Sequence, residues 1–289
     1  MIEYIAHKNL DIAKYDTCIE QSINVRIYAY SWYLDCVADN WDALVLNDYE
    51  AVMPLPRRKK YGLNYIYQIP WVQQLGIFSK DNINELLIQN FIDHIPKKYV
   101  LVDYNFNSKN NFSSKYVVKR INYVLNLDKS FEEISQNYNK NRKRIIRREF
   151  SDYIIDKNGS VEDFLDLYIN QNVNYKTHKD SYEKLQHLLN VKHSSVHIWN
   201  VYKNEELLAG LVWLNDKNRI TYLLPVATDL AKKDNIPTFI INELIKEYQN
   251  TNYILDFEGS MIEGVANFYR SFGAVKEEYC WYRKRLMVF

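Results

Sequence analysis

A passage in the first half of the chain recurs in the second, and this repeat constrains the fold more than any other feature. Tyr65-Ile66-Tyr67-Gln68-Ile69-Pro70 is followed by a polar stretch, then by Asp81-Asn82-Ile83 opening an apolar-periodic segment to Ile92, then by Tyr99-Val100-Leu101-Val102-Asp103. The same order returns as Thr221-Tyr222-Leu223-Leu224-Pro225, then Asp234-Asn235-Ile236 opening a helix through Leu244 and Ile245, then Tyr253-Ile254-Leu255-Asp256. Asp81 and Asp234 stand 153 positions apart, and so do Asp103 and Asp256. Equal offsets at two separated landmarks predict a duplicated unit. Each copy reads strand, Pro, loop, Asp or Asn helix cap, helix, strand, which is a β-α-β passage.

The second half is the more legible. His197 to Tyr202, Leu207 to Leu214 and Ile220 to Val226 alternate or run apolar between short polar turns, which predicts a three-strand antiparallel meander. A helix near Pro237–Tyr248, a strand at Tyr253–Phe257, a short helix near Ile262–Ser271 and a final strand at Glu278–Arg285 follow. Upstream, Phe131 to Glu149 and Val161 to Tyr175 read as helical. A meander joined through a helix to a further strand gives an α/β chain of the α+β, mixed-sheet kind, not a doubly wound parallel sheet. We expect two domains, 1–127 and 128–289, consistent with a length of 289 residues.

Composition narrows the function classes. Lys plus Arg is 37 against 36 for Asp plus Glu, so no whole-protein field draws in nucleic acid or an anionic membrane. Any polyanion site is then a local patch. Cys18, Cys36 and Cys280 are odd in number and widely spaced, which predicts structural thiols in a reducing compartment. The start Met1-Ile2-Glu3-Tyr4-Ile5-Ala6-His7-Lys8 lacks the basic and apolar regions of a secretory signal, and no apolar run approaches the roughly 20 residues that cross a bilayer. The expectation is a cytoplasmic protein without stable membrane insertion. The 25 tyrosines read as core and strand residues rather than as a binding surface. No G-x-S-x-G, P-loop, Cys-His protease or H-E-x-x-H pattern is present, and no metal site is expected. His193 and His197 share the i, i+4 spacing of helical ligands, but the surrounding alternation predicts strand, which separates them by over 13 Å at roughly 3.3 Å per residue.

Local phrases extend the pattern. Pro70-Trp71-Val72-Gln73-Gln74-Leu75-Gly76-Ile77-Phe78 precedes the first repeat's helix; Asn137 to Arg148 reads Asn-Tyr-Asn-Lys-Asn-Arg-Lys-Arg-Ile-Ile-Arg-Arg; Asp256-Phe257-Glu258-Gly259-Ser260 leads to Gly264-Val265-Ala266-Asn267-Phe268-Tyr269-Arg270-Ser271-Phe272-Gly273-Ala274. In element order the chain resembles the GNAT N-acyltransferase fold, and in its tandem arrangement and these three phrases it resembles the FemABX peptidyltransferase group. The resemblance implies acyl transfer to an amine, from aminoacyl-tRNA as in FemABX enzymes or from acetyl-CoA as in ordinary GNAT enzymes. It implies an amine acceptor on a cell-wall or glycan precursor carrying phosphate, bound between the halves or in the second half, with Trp71 and Gln73 among the substrate-binding residues. It also implies a role for Tyr269, at the position where many GNAT enzymes keep a tyrosine general acid; beside Phe268 and Phe272 the same residue also reads as core.

The residues themselves add three points. The GNAT resemblance implies a glycine-bearing loop that cradles the coenzyme A pyrophosphate; the matching stretch is Lys232-Lys233-Asp234-Asn235-Ile236-Pro237-Thr238, with Asn235 and Pro237 where glycines would let backbone N–H groups approach phosphate, so no cofactor is assigned. On a helix, Lys140, Lys143, Arg144, Arg147 and Arg148 fall opposite Ile134, Tyr138 and Ile145, a basic ridge that suits phosphate or an RNA backbone, or simply a solvated face. Arg142 sits nearer the apolar side, for a cleft or a structural ion pair. Asp256 and Glu258, alternating with Phe257, are expected on one strand face, each a candidate proton acceptor or a structural carboxylate. The readings therefore stand as an aminoacyl or acyl transferase, a coenzyme A-dependent N-acetyltransferase with an atypical pyrophosphate loop, or a non-catalytic GNAT-fold binder.

Overall fold

The computed structural model describes residues 1–171, 179–259 and 261–285. Tyr175, the expected end of the second upstream helix, and Ser260 lie outside the described residues. The chain divides into two units: Met1–Arg120 with Glu183–Leu188 and Glu278–Phe289, and Ile121–Tyr182 with Leu189–Glu277.

Unit 1 holds β1 (Ile2–Ala6), α1 (Ile12–Gln21), α2 (Ser31–Val37), β2 (Trp41–Leu46), β3 (Ala51–Lys60), β4 (Leu63–Ile66), the short β5 (Phe78–Ser79), α3 (Glu85–Asp93), β6 (Tyr99–Phe106) and the first residues of β7 (Val117–Asn126). β1 to β4 form an antiparallel meander, with β5 paired to β3. β4 then pairs in parallel with β6 across α3, in the register Ile66↔Val102. α3 is capped by Asn84, whose side chain accepts the Leu87 N–H, so the helix opens three residues beyond the expected Asp81. β6 runs on to Phe106, which leaves Asp103 inside the strand instead of at its end.

Unit 2 continues β7 and adds α4 (Phe131–Gln136), α5 (Lys140–Ile145), β8 (Ile154–Asp156) and α6 (Val161–Gln171); α7 (Lys179–Asn190) leads to β9 (Val196–Lys203), β10 (Glu206–Asp216) and β11 (Arg219–Ala227). Then come α8 (Asp229–Lys233), α9 (Ile236–Tyr248), β12 (Ile254–Asp256), α10 (Glu263–Arg270) and β13 (Val275–Arg285). β8 to β11 pair antiparallel, β11 pairs in parallel with β12 across α9, and β12 pairs antiparallel with β7. The two units thus repeat one plan: a meander, a parallel pair spanning a helix, and a last antiparallel strand. In unit 2 that last strand is β7; in unit 1 it is β13, where Cys280↔Phe106 and Arg285↔Leu101 pair antiparallel.

The expected meander and β-α-β passages are present because their sequences carry the right period. β10 is buried on both faces over Leu208–Leu214, as befits a strand flanked on both sides. Ile240, Ile241, Leu244 and Ile245 of α9 pack with Trp199, Leu211 and Trp213 in the unit 2 core. Burying each such side chain contributes roughly 1.5–3 kcal/mol before entropy is charged against it. The single helix expected over Phe131–Glu149 is instead two. Asn137 closes α4, and the Asn139 side chain accepts the Arg142 N–H and caps α5. Asparagine competes for backbone groups in this way and interrupts helices that periodicity alone would continue.

In unit 1 the Pro70–Phe78 segment is fixed by asparagines. Asn110 accepts the Ile77 N–H (2.6 Å) and returns an amide hydrogen to the Ile77 carbonyl (3.1 Å), while Asn107 donates to the Leu75 carbonyl (2.9 Å). Gly76 sits between them at φ +128°, where an added Cβ would lie 2.1 Å from the Asn110 side-chain oxygen. Gly76→Ala is therefore expected to destabilise the protein by about 3 kcal/mol or more, from strain plus a broken buried hydrogen bond. Chemical denaturation measures this, and a loss below about 1 kcal/mol would show that the segment tolerates another path.

Candidate active site

Asp256 and Glu258, two of the residues singled out in the sequence, lie where β11 and β12 stop pairing. Their parallel register covers Arg219↔Ile254, Ile220↔Leu255 and Thr221↔Asp256, after which β11 continues to Ala227 while β12 ends. Beyond Asp256 the chain turns through Glu258 and Gly259, both in the left-handed region (φ 55° and 48°). Glu258 is thus a turn residue, and the expected alternation of Asp256 and Glu258 on one strand face is not observed. The cause is local: Asp256 Oδ1 accepts the Glu258 N–H at 2.8 Å, a side-chain-to-backbone turn that Asp favours. At Gly259 a Cβ would come within 2.5 Å of the Ile121 carbonyl oxygen and the Asn122 Cα, so the turn requires glycine to close against β7.

Asp256 is almost fully buried and is held on every side. Its Oδ2 receives Arg219 Nη1 (2.6 Å), and its Oδ1 also receives Asn122 Nδ2 (2.8 Å). Arg219 Nη2 reaches Glu277 Oε1 (3.0 Å), and Asn122 Nδ2 also lies 3.1 Å from Glu277 Oε2. Burial acts to lower the Arg219 pKa, but the charges of Asp256 and Glu277 hold it above its ordinary value. Sequence reading missed Arg219, Asn122 and Glu277. The available signal was a lone Arg heading the apolar run Ile220–Val226.

Glu258 behaves differently. The residue keeps some exposure, yet its Oε1 is closed off from solvent, and burial pushes the carboxyl pKa up to about 8. The preceding residue, Phe257, belongs to an aromatic stack. Tyr269 of α10 stacks on Phe257 (centroids 4.7 Å, 19°), and Tyr222 meets both edge-on at 6.2 and 5.9 Å. Tyr269 is buried, and burial followed by the nearby Glu258 and Asp256 charges raises its hydroxyl pKa, so the phenol keeps its proton. Tyr269 is therefore a buried, stacked ring of the unit 2 core.

Arg142 is the second polar feature of this region. Its side chain is buried, its Nε donates to Ser271 Oγ (2.7 Å) and its Nη1 to Thr238 Oγ1, and its guanidinium lies over Phe268 and Phe272 (4.4 and 5.0 Å). Phe272 in turn packs on Phe257 (6.1 Å). Among the described residues no carboxylate pairs with Arg142, and burial lowers its pKa. A buried cation with an unused Nη2 and no counter-charge is suited to an anionic ligand. Thr238 is in the first turn of α9, but little free backbone is offered there. The Thr238 and Phe239 N–H groups bond to the Asn235 carbonyl, Asn235 N–H bonds to Lys232, and Pro237 has none.

The other residues singled out in the sequence are more dispersed. α5 ends at Ile145, so Arg147 and Arg148 are on the exposed turn after it, and the expected single ridge with Lys140, Lys143 and Arg144 is broken. Arg144 Nη2 donates to Asn141 (2.9 Å), and Arg148 lines a cavity of about 260 Å³ with Phe150, Phe239 and Lys246. Trp71 and Gln73 belong to unit 1. The Trp71 carbonyl accepts the Tyr33 hydroxyl, while the Gln73 carbonyl and side chain accept from Asn105 (2.8 Å) and Gln74 (2.6 Å). His197 stacks on Trp213 and bonds Asn215. Among the described residues no cluster of three or more His, Cys, Asp or Glu is placed to hold a metal, and no helix is long and apolar enough to cross a membrane.

No protein-family model matches the chain, and no curated protein matches it. Solved structures do. The crystal structure of FemX aligns with a TM-score of 0.68 at 11% identity, over 94% of this chain and 96% of that one. The C-terminal domain of a putative lysylphosphatidylglycerol synthetase from Agrobacterium fabrum gives 0.55 at 9% identity, over 94% and 90%. A tandem GNAT protein from the clavulanic acid biosynthesis pathway gives 0.54 at 6% identity, over 98% of each chain. The chain has the tandem GNAT fold and resembles FemABX-type proteins in architecture.

The charge cluster makes a direct prediction. Arg219→Ala strands the buried Asp256 carboxylate and should cost about 3–5 kcal/mol in unfolding free energy, and Asp256→Ala a similar amount. The double variant should lose clearly less than the sum, which a denaturation cycle measures; strict additivity would show that the two are not coupled.

Proposed function

We propose that the chain is an acyl or aminoacyl transferase that moves its group onto an amine of a cell-wall or glycan precursor, with the chemistry in unit 2. The observation that carries this reading is the enclosed Glu258 carboxyl, with a pKa near 8, in the turn that follows the end of the β11–β12 pairing. An amine is nucleophilic only after losing a proton, and a base with a pKa near the working pH is the efficient group to take one. In this reading Glu258 accepts the proton from the attacking amine, and Tyr269, kept protonated, donates to the departing oxygen or sulfur. Asp256 holds the Glu258 backbone in its turn, a positioning residue. In this reading the buried rings of Phe257, Tyr222 and Tyr269 keep water away, which strengthens both proton transfers and protects the acyl donor from hydrolysis.

Arg142 is proposed to grip a phosphate of the precursor, with Arg144, Arg147 and Arg148 as an outer basic surface that raises its local concentration. Trp71 and Gln73 remain proposed substrate contacts of unit 1. For the donor, aminoacyl-tRNA is favoured over acetyl-CoA, because the α9 start offers Asn235 and Pro237 where a pyrophosphate would need free N–H groups. Thermal unfolding with saturating acetyl-CoA separates the two donors. A ligand at about 100 times its Kd adds roughly 2.7 kcal/mol and raises the melting temperature by several degrees, so a clear shift would install acetyl-CoA as donor.

The decisive test is transfer of radiolabelled acyl or aminoacyl groups to amine-bearing precursors. Wild-type turnover should rise with pH and level off above about 8 as Glu258 deprotonates. Glu258→Gln should lower it about 100-fold or more and abolish that pH dependence. An unchanged rate and pH profile in Glu258→Gln would remove Glu258 from the chemistry. Stability gives an independent check. A carboxyl whose pKa is raised on folding stabilises the fold at pH values below its unfolded value, and that stabilisation is lost as pH rises through the folded value. The wild-type stability contribution should therefore decline between about pH 4.5 and 8, and Glu258→Gln should flatten that slope.

A further inference from the structure

Two nucleophilic side chains that the proposed transfer does not use face each other in unit 1. Lys119 is on β7 and Cys280 on β13, neighbouring strands, and Lys119 Nζ lies 3.3 Å from Cys280 Sγ. The lysine nitrogen also donates to the Asn111 side-chain oxygen, and among the described residues it has no carboxylate partner. The sulfur is buried against the Phe112 carbonyl (4.0 Å), whereas Lys119 is exposed. Both line a cleft of about 160 Å³ with Asn107, Asn110, Asn111 and Glu278. A site of that size and polarity admits a small hydrogen-bonding oxidant, since one water needs only about 30 Å³.

The other two thiols are set up differently. Cys18 bonds the Phe78 carbonyl (3.7 Å), and among the described residues neither it nor Cys36 has a lysine nitrogen in hydrogen-bond range. Burial pushes each of them up to about 11, which keeps them as unreactive thiols.

We infer that the Lys119–Cys280 pair is an oxidation site at which a peroxide joins Cys280 Sγ to Lys119 Nζ through a single oxygen atom. The first peroxide converts the thiol to a sulfenic acid and leaves as water. Lys119, having released its ammonium proton to solvent, then loses one N–H hydrogen while the sulfenic acid loses its O–H hydrogen. The N–O bond forms, and a second peroxide is reduced to two waters. One thiol, one amine and two peroxides thus give one S–O–N bridge and three waters. The bridge joins β7 to β13 covalently and removes a cation from the cleft, and an excess of small thiol reverses it.

The test is peroxide treatment of the full-length protein followed by non-reducing peptide mapping by mass spectrometry. The expected product is a crosslinked peptide containing Lys119 and Cys280, heavier than its two parts by one oxygen less two hydrogens and released by dithiothreitol. Cys18 and Cys36 should stay unmodified in the same sample. Lys119→Arg keeps the exposed charge, and an unchanged melting temperature confirms its fold; in it the crosslink should vanish and Cys280 should proceed to sulfinic and sulfonic acids. If Cys280 follows that course equally in the wild type, or remains a thiol while Cys18 or Cys36 oxidises, the inference is overturned. The readout is a mass, so it stands apart from whether the chain transfers acyl groups.

Discussion

The geometry of unit 2 depends on one buried charge cluster. Asn122 on β7, Arg219 on β11, Asp256 on β12 and Glu277 on β13 meet in a space from which water is nearly excluded. Such a cluster adds little net stability, because desolvating the ions costs about as much as their attraction returns. What it supplies is direction, since a guanidinium fork and two carboxylates satisfy each other in very few arrangements. A slipped β11–β12 register would bury charges unpaired, so the cluster specifies where the parallel pairing stops. That stopping point is where the chain turns and presents Glu258.

Two buried arginines in the same unit show how environment decides role. Arg219 faces two carboxylates and is held above its ordinary pKa; Arg142 faces hydroxyls and two phenylalanine rings and falls below its own. The first has its charge balanced inside the protein and is committed to structure. The second keeps its charge unbalanced, with Thr238 and Ser271 fixing two of its donors and thereby orienting the rest. Glu258 completes the contrast on the acidic side. It lies two residues from Asp256, yet burial dominates at one carboxyl while an arginine and two N–H donors surround the other.

Much of the architecture was readable from hydrophobic period. The β9–β11 meander, α9, β12 and α10 follow from alternation, from helical spacing and from short polar turns, and the repeated offset pointed to two copies of one plan. The failures share a cause: side chains that capture backbone groups. Asn139 caps α5 and breaks the basic helix, Asn84 displaces the start of α3, and Asp256 turns Glu258 off the strand. Each depends on a single hydrogen bond that no periodicity registers. Arg142 was legible as the basic residue nearest the apolar side, whereas its partners Thr238 and Ser271 are distant in sequence and left no signal. Arg219 was missed for another reason: its one signal, a charge at the head of a strand, ordinarily points to water.

The pairing of β13 with β6 bears on how such a chain can be made. The residues that complete the sheet of unit 1 follow every other element of unit 2 in the chain, so they are synthesised after them. Until then β6 presents an open edge of unpaired backbone groups, the kind of surface that recruits the wrong strand. Closing it means bringing Cys280 beside Phe106 across most of the sequence, a non-local contact whose loop-closure entropy must be met before any pairing energy is returned. Of the two units, the one that is synthesised earlier is in this sense the one that is finished later.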